Sequence, residues 1–113
     1  MMETEGAVAP TLTAVAVMKN GADYVLCPFF GKCDGVLFIE PTTPTAKFVS
    51  NPKHDAEGLS GLVMGANAKR FICGYIPDAE RKRLSASGVD VRLGSCASAV
   101  EELITAFPIL PHA

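Results

Sequence analysis

The spacing of apolar residues changes from a strand period to a helical one partway along the chain. Thr13-Ala14-Val15-Ala16-Val17-Met18 is a short apolar run, as expected of a central strand covered on both faces. Gly35-Val36-Leu37-Phe38-Ile39-Glu40 reads as a second strand, stopped by Pro41-Thr42-Thr43-Pro44, and Ala46-Lys47-Phe48-Val49-Ser50 alternates as a third. The short link between them predicts an antiparallel hairpin, and Asn51-Pro52 ends the third strand. Leu59, Leu62, Val63 and Ala66 then fall at i, i+3, i+4 and i+7, the stripe of an amphipathic helix. Gly58, Gly61 and Gly65 weaken that helix by up to about 1 kcal/mol each and are expected to allow close packing on the sheet.

Arg70-Phe71-Ile72-Cys73-Gly74-Tyr75 is the fourth strand. Asp78 is placed to cap a helix running through Ser87, with Gly88 as its terminator. Val89 to Gly94 alternates as a fifth strand. In the last helix Ser98 and Glu101 have capping-box spacing, Val100, Leu103, Ile104 and Phe107 form the apolar stripe, and Pro108 stops it. The stretch from Lys19 to Asp34 is left as a long loop punctuated by Asn20-Gly21, Cys27-Pro28 and Gly31, and long loops in small domains are usually functional.

The order β-β-β-α-β-α-β-α, with right-handed crossovers, predicts an α/β fold. Its five-stranded mixed sheet has the order 3-2-1-4-5, strand two antiparallel, flanked by three helices. Residues 1–11 and 109–113 are expected as tails around a domain over 12–108. His112, in the second tail, is expected to have no role.

With 113 residues, 49% of them hydrophobic and 19% charged, the chain can form one core. A net charge of −2 argues against nucleic acid, which is bound by clustered Lys and Arg. The one basic run, Arg81-Lys82-Arg83, sits beside Glu80 on a predicted helix and reads as a solvated face. No apolar run reaches the roughly 20 residues of a membrane span. The acidic start, Met1 to Gly6, is unlike a secretory signal, so a cytoplasmic protein is expected. Cysteines there are free thiols or ligands.

The topology sends Cys27, Cys33, Cys73 and Cys96 to one place, the carboxyl edge of the parallel strands, where open α/β sheets bind ligands. Cys96, just before a helix start, is favoured as a thiolate, a ligand for soft metals. Cys73, in an apolar strand, reads first as packing. Cys27 and Cys33 lie in a Gly- and Pro-containing loop where burial is hard to arrange, which favours a functional role. His54 is a further metal candidate on that edge. Gly31, Gly74 and Gly94, with Ser95 and Asn51, are candidates for backbone and polar contacts to an anionic ligand, although turn glycines are the commoner reading.

Cys27-Pro28-Phe29-Phe30-Gly31-Lys32-Cys33, Asn51-Pro52, Phe71-Ile72-Cys73-Gly74-Tyr75-Ile76 and Gly88-Val89-Asp90-Val91 resemble the dinitrogenase iron–molybdenum cofactor-binding family, the NifX and NifB C-terminal type. The likeness runs from about Thr13 to Phe107. It implies a ribonuclease H-like fold and non-catalytic binding of the iron–molybdenum cofactor, its precursors or related metal–sulfur clusters. One branch, the orange proteins, holds a molybdenum–copper sulfide cluster. Many relatives carry a histidine directly before the Phe-Gly pair, a candidate cluster ligand; here that position is Phe29, which cannot coordinate a metal.

The leading expectation is therefore a carrier of a metal–sulfur cluster, with cofactor-assembly or acceptor proteins as partners. Its alternative is a regulatory or protein-interaction module that has lost cluster binding and keeps its cysteines for structure. Enzymatic activity is not expected. A nuclease needs converging carboxylates on Mg²⁺ and strand one has none, while a thiol hydrolase would have only His54 to pair with cysteine.

Overall fold

The computed structural model describes residues 12–40 and 46–113. The expected tail over 1–11 and the Pro41–Pro44 turn lie outside the described residues.

The apolar run at the start becomes β1 (Thr13–Asn20), whose Ala14, Val15, Ala16 and Val17 are fully buried on both faces. β3 (Gly35–Ile39) runs antiparallel beside it, and β4 (Ala46–Ser50) antiparallel beside β3. On the other side lie β5 (Arg70–Cys73), parallel to β1, and β6 (Asp90–Leu93), parallel to β5. The path β4-β3-β1-β5-β6 is the order expected from the crossover rule.

Among the described residues the sheet has six strands, not five. The sixth, β2 (Asp23–Leu26), lies inside the stretch expected to be a loop and folds back on β1 as a hairpin. Gly21, at φ 65°, supplies the left-handed residue that a two-residue hairpin turn needs.

α1 (Ala56–Gly65) and α2 (Asp78–Ala86) cover one face. Leu59, Val63 and Leu84 meet Ala14, Ala16, Val36, Phe38 and Phe71 there. Asp55 caps α1 by accepting from Gly58 N–H at 2.6 Å. Gly61 and Gly65 face open space, so they do not serve close packing as expected; Gly58 does meet neighbours, Asp55 and Asn51. In α2 the cap position falls to Pro77, and Asp78 is the first helical residue. Its carboxylate pairs with Arg81 and Lys82 one turn on. Arg83 lies 3.7 Å from Glu80, so the basic run is an ion-paired helix surface.

α3 (Val100–Thr105) covers part of the second face, where Val100, Leu103 and Phe107 pack on Val15, Val17, Leu37 and Ile72. Its cap is one residue later than expected. Ala99 holds the position and its N–H donates to Glu102, while Ser98 closes a turn onto Ser95. Between α3 and the strands a cavity of about 620 Å³ opens over Tyr24, Leu37, Ile39 and Phe48.

The segment expected as a C-terminal tail lies along β6: Leu93 N–H donates to Pro111 and Ala113 N–H to Val91. Arg92 ties it down, donating to the carbonyls of Phe107, Pro108 and Leu110. His112, expected to have no role, bridges to Arg92 through the backbone and sits 3.6 Å from Asp90. Arg92, above all, holds Asp90 below the ordinary carboxylate range.

Candidate functional site

The extra strand explains how the cysteines meet. β5 pairs with Thr13–Val15 of β1 and β2 with Val17–Asn20, and at Val17 the opposite edge is taken by β3. β2 therefore descends the same edge that β5 climbs, and the two strands meet end to end. Cys27 N–H still bonds to Ala16 at 2.9 Å, after which the chain must leave the sheet over the end of β5. A Cβ on Gly74 would stand 2.8 Å from Cys27 O, 3.1 Å from Pro28 Cα and 3.3 Å from Cys96 Sγ. Gly74 is thus a point where three segments remote in sequence touch.

From Pro28 the chain folds through a short 3-10 turn, Phe30–Lys32, to Cys33. Phe30 plugs the core, edge-on to Phe71 at 5.9 Å between ring centroids. Phe29, its neighbour, is 64% exposed. The turn closes with Lys32 N–H donating to Phe29 O, and the thiols of Cys27 and Cys33 both donate to that same oxygen at 3.1 Å. Contrary to expectation, both cysteines are buried, 2% and 0% exposed. Gly31 packs against Ala56 at the start of α1, which helps bring the segment into the core.

Cys73 is buried too, as its apolar strand predicted, and its thiol lies 3.9 Å from Arg92 O. Burial pushes it up to about 12. Cys33 is raised further, by burial first and then by the neighbouring Cys27 thiol, with a contribution from Cys73. Burial thus disfavours the thiolate, the form that binds metals, in both.

Cys96 differs: it is the one exposed cysteine of the four. It stands in a turn three residues ahead of the Ala99 cap, and α3 has only six residues, so the expected help from a helix N-terminus is not there. Two exposed aromatic residues flank the segments that meet Cys96 at Gly74. Phe29 follows Pro28 and Tyr75, 58% exposed, follows Gly74, so each stands one residue along the chain from the three-way contact at Gly74.

The other expected site residues are occupied structurally. Gly94 N–H donates to Cys73 O, and a Cβ there would be 2.8 Å from Leu103, so Gly94 serves close packing. Ser95 Oγ accepts from Ala97 N–H. Asn51 is buried; its backbone N–H donates to Asp34 O and its side-chain amide to Asp55 O. His54, at φ 49°, faces Asp34 at 3.4 Å and not the cysteines. The Lys19 backbone N–H, at 2.7 Å, and then His54 hold Asp34 below the usual carboxylate range. Among the described residues, no three His, Cys, Asp or Glu side chains are set to hold one metal ion. Sequence reasoning missed Tyr75 as a rim residue; its place directly after Cys73-Gly74 at a strand end was the available signal.

A model of the dinitrogenase iron-molybdenum cofactor family matches residues 11–108. The chain belongs to that family. The apo orange protein from Desulfovibrio gigas superposes with a TM-score of 0.79 at 21% identity, over 91% of this chain and 92% of that one. A putative NifB protein from Thermotoga superposes at 0.71 with 16% identity, over 88% of each chain. At these identities the likeness speaks for the fold. A comparison with curated proteins finds no match. Family membership agrees with the resemblance carried by the Cys27–Cys33 segment, and Phe29 stands at the rim where the relatives' histidine was expected.

Proposed function

We propose that this chain is a non-catalytic carrier of a metal–sulfur cluster, of the iron–molybdenum cofactor kind or a related molybdenum, iron or copper sulfide, held at the carboxyl rim and working in the cytoplasm. The fold is read as ribonuclease H-like. The observation that carries the reading is the exposed Cys96, whose sulfur lies against Gly74 at the strand-end edge where α/β sheets take ligands, with exposed Phe29 and Tyr75 each one residue along the chain from that contact. A single ion would need several protein ligands. A preformed cluster brings its own sulfides and needs fewer, so one thiol suffices as an anchor, with aromatic faces against the soft sulfide surface.

Of the thiols first considered as ligands, Cys96 takes the lead. Cys27, Cys33 and Cys73 form the buried layer beneath it, and His54 stands apart with Asp34. Weak, solvent-facing attachment suits a carrier, because the acceptor protein must reach the cargo. Anaerobic reconstitution with iron and sulfide, or with thiomolybdate and copper, is expected to give a visible charge-transfer band that travels with the protein on gel filtration. A colourless, metal-free protein after both treatments contradicts the reading.

A further inference from the structure

The buried pair Cys27 and Cys33 calls for an account of its own. Their sulfurs each lie 3.1 Å from Phe29 O, so they are at most twice 3.1 Å apart. The chain between them is short and folded back on itself by the Phe30–Lys32 turn, and in this state both are free thiols. The segment that joins them reaches solvent: Phe29 and Lys32 are exposed, Pro28 and Gly31 half-buried.

We propose that Cys27 and Cys33 are a redox pair that closes to an intramolecular disulfide in the presence of a small-molecule disulfide. Thiol–disulfide exchange proceeds in two steps. One cysteine loses its S–H proton to solvent and its thiolate attacks the small disulfide, releasing one thiolate and leaving a mixed disulfide. The second then displaces the remaining half, forming the Cys27–Cys33 S–S bond. The protein pair is oxidised by two electrons, and one small disulfide is reduced to two thiols.

The surroundings suit both states. In the reduced state two donors share one carbonyl. In the oxidised state neither donates, yet Phe29 O keeps its bond from Lys32 N–H, so no buried acceptor is orphaned. The closed segment also shields the pair. Exchange needs a thiolate, and burial disfavours it, so the reaction passes through opening of residues 28–32. Exposed Cys96 reacts without that step. The oxidised bond ties down the segment that bears Phe29, one of the rim aromatics. The inference uses only the geometry of the pair and stands or falls apart from the cargo reading.

The test is exposure of the full reduced chain to mixtures of oxidised and reduced glutathione, followed by acid quench, alkylation and peptide mapping. The expected product is lighter by two hydrogens in residues 20–47, with tryptic peptides 20–32 and 33–47 joined. Cys96→Ser is expected to form the same bond. Cys33→Ser is expected to lose it, and sub-denaturing urea to speed its formation several-fold while leaving the Cys96 reaction unchanged. If Cys33→Ser does not fold, the wild-type map decides alone. Glutathione on Cys96 with Cys27 and Cys33 still alkylated, or a bond to Cys73 instead, overturns the proposal. Failure of cluster loading leaves this result untouched, and the reverse also holds.

Discussion

Two flanks of one rim treat cysteine in opposite ways. The 27–33 segment turns its sulfurs into the core, where they hydrogen-bond to a backbone oxygen; the turn after β6 leaves the Cys96 sulfur in solvent. The difference does not lie in residue type or in distance from the sheet. It comes from the end-to-end meeting of β2 and β5, which lifts the chain over the strand end and lets Phe30 pull its segment inward. Proximity to a functional edge is therefore not the same as availability there. Thiols in one cluster divide into a layer that packs and a single group open to solvent.

The comparison breaks most severely at Phe30. Phe30→Ala removes a fully buried ring in contact with Phe71 and is expected to cost about 3–5 kcal/mol in urea unfolding. Its exposed neighbour behaves differently: Phe29→Ala is expected to stay within about 0.5 kcal/mol of wild type. Similar losses for the two would mean the segment is not anchored as described.

Gly74→Ala comes next. Its Cβ would press on backbone atoms of both Cys27 and Pro28, which cannot swing aside, so a loss of about 1–3 kcal/mol in thermal or urea melts is expected. Full stability in this variant would show that the three segments do not converge tightly.

Alkaline pH sharpens the contrast further. Cys33 and Cys73 keep their protons in the folded chain, whereas unfolded thiols release them above about pH 8.5. The unfolded state then binds fewer protons, so stability falls as pH rises, by about 1.4 kcal/mol per unit for each of these two thiols. For Cys73 the decline runs to about pH 12. Urea titrations between pH 7 and 10 should show this slope in wild type and in Cys96→Ser, and a shallower one in Cys33→Ala. Equal slopes in all three contradict the buried layer.

Much of this fold was legible beforehand. The switch from alternating to helical spacing marked the strands of the main path and three helices, and crossover handedness ordered the sheet. β2 escaped because Asp23-Tyr24-Val25-Leu26 is only four residues long and surrounded by turn formers, although Asn20-Gly21 before it is a hairpin signal. That miss had consequences. Without β2, Cys27 and Cys33 belong to an open loop where burial is hard to arrange; with it, Cys27 continues a ladder. The α2 cap moved to Pro77, with Asp78 paired to Arg81 and Lys82, a competition that spacing alone does not rank. The gathering of four cysteines at one edge was readable from topology, but their burial depends on side-chain packing between distant segments.

The smallest structural effect carries the largest functional one. Cys96→Ser is expected to change stability by less than about 0.5 kcal/mol, since the side chain is exposed. The direct test is metal retained per chain after anaerobic reconstitution and desalting, measured by elemental analysis in wild type and Cys96→Ser. The account predicts retained metal in the first and its loss in the second. Equal retention in a folded Cys96→Ser chain would contradict the claim that the exposed thiol is the anchor.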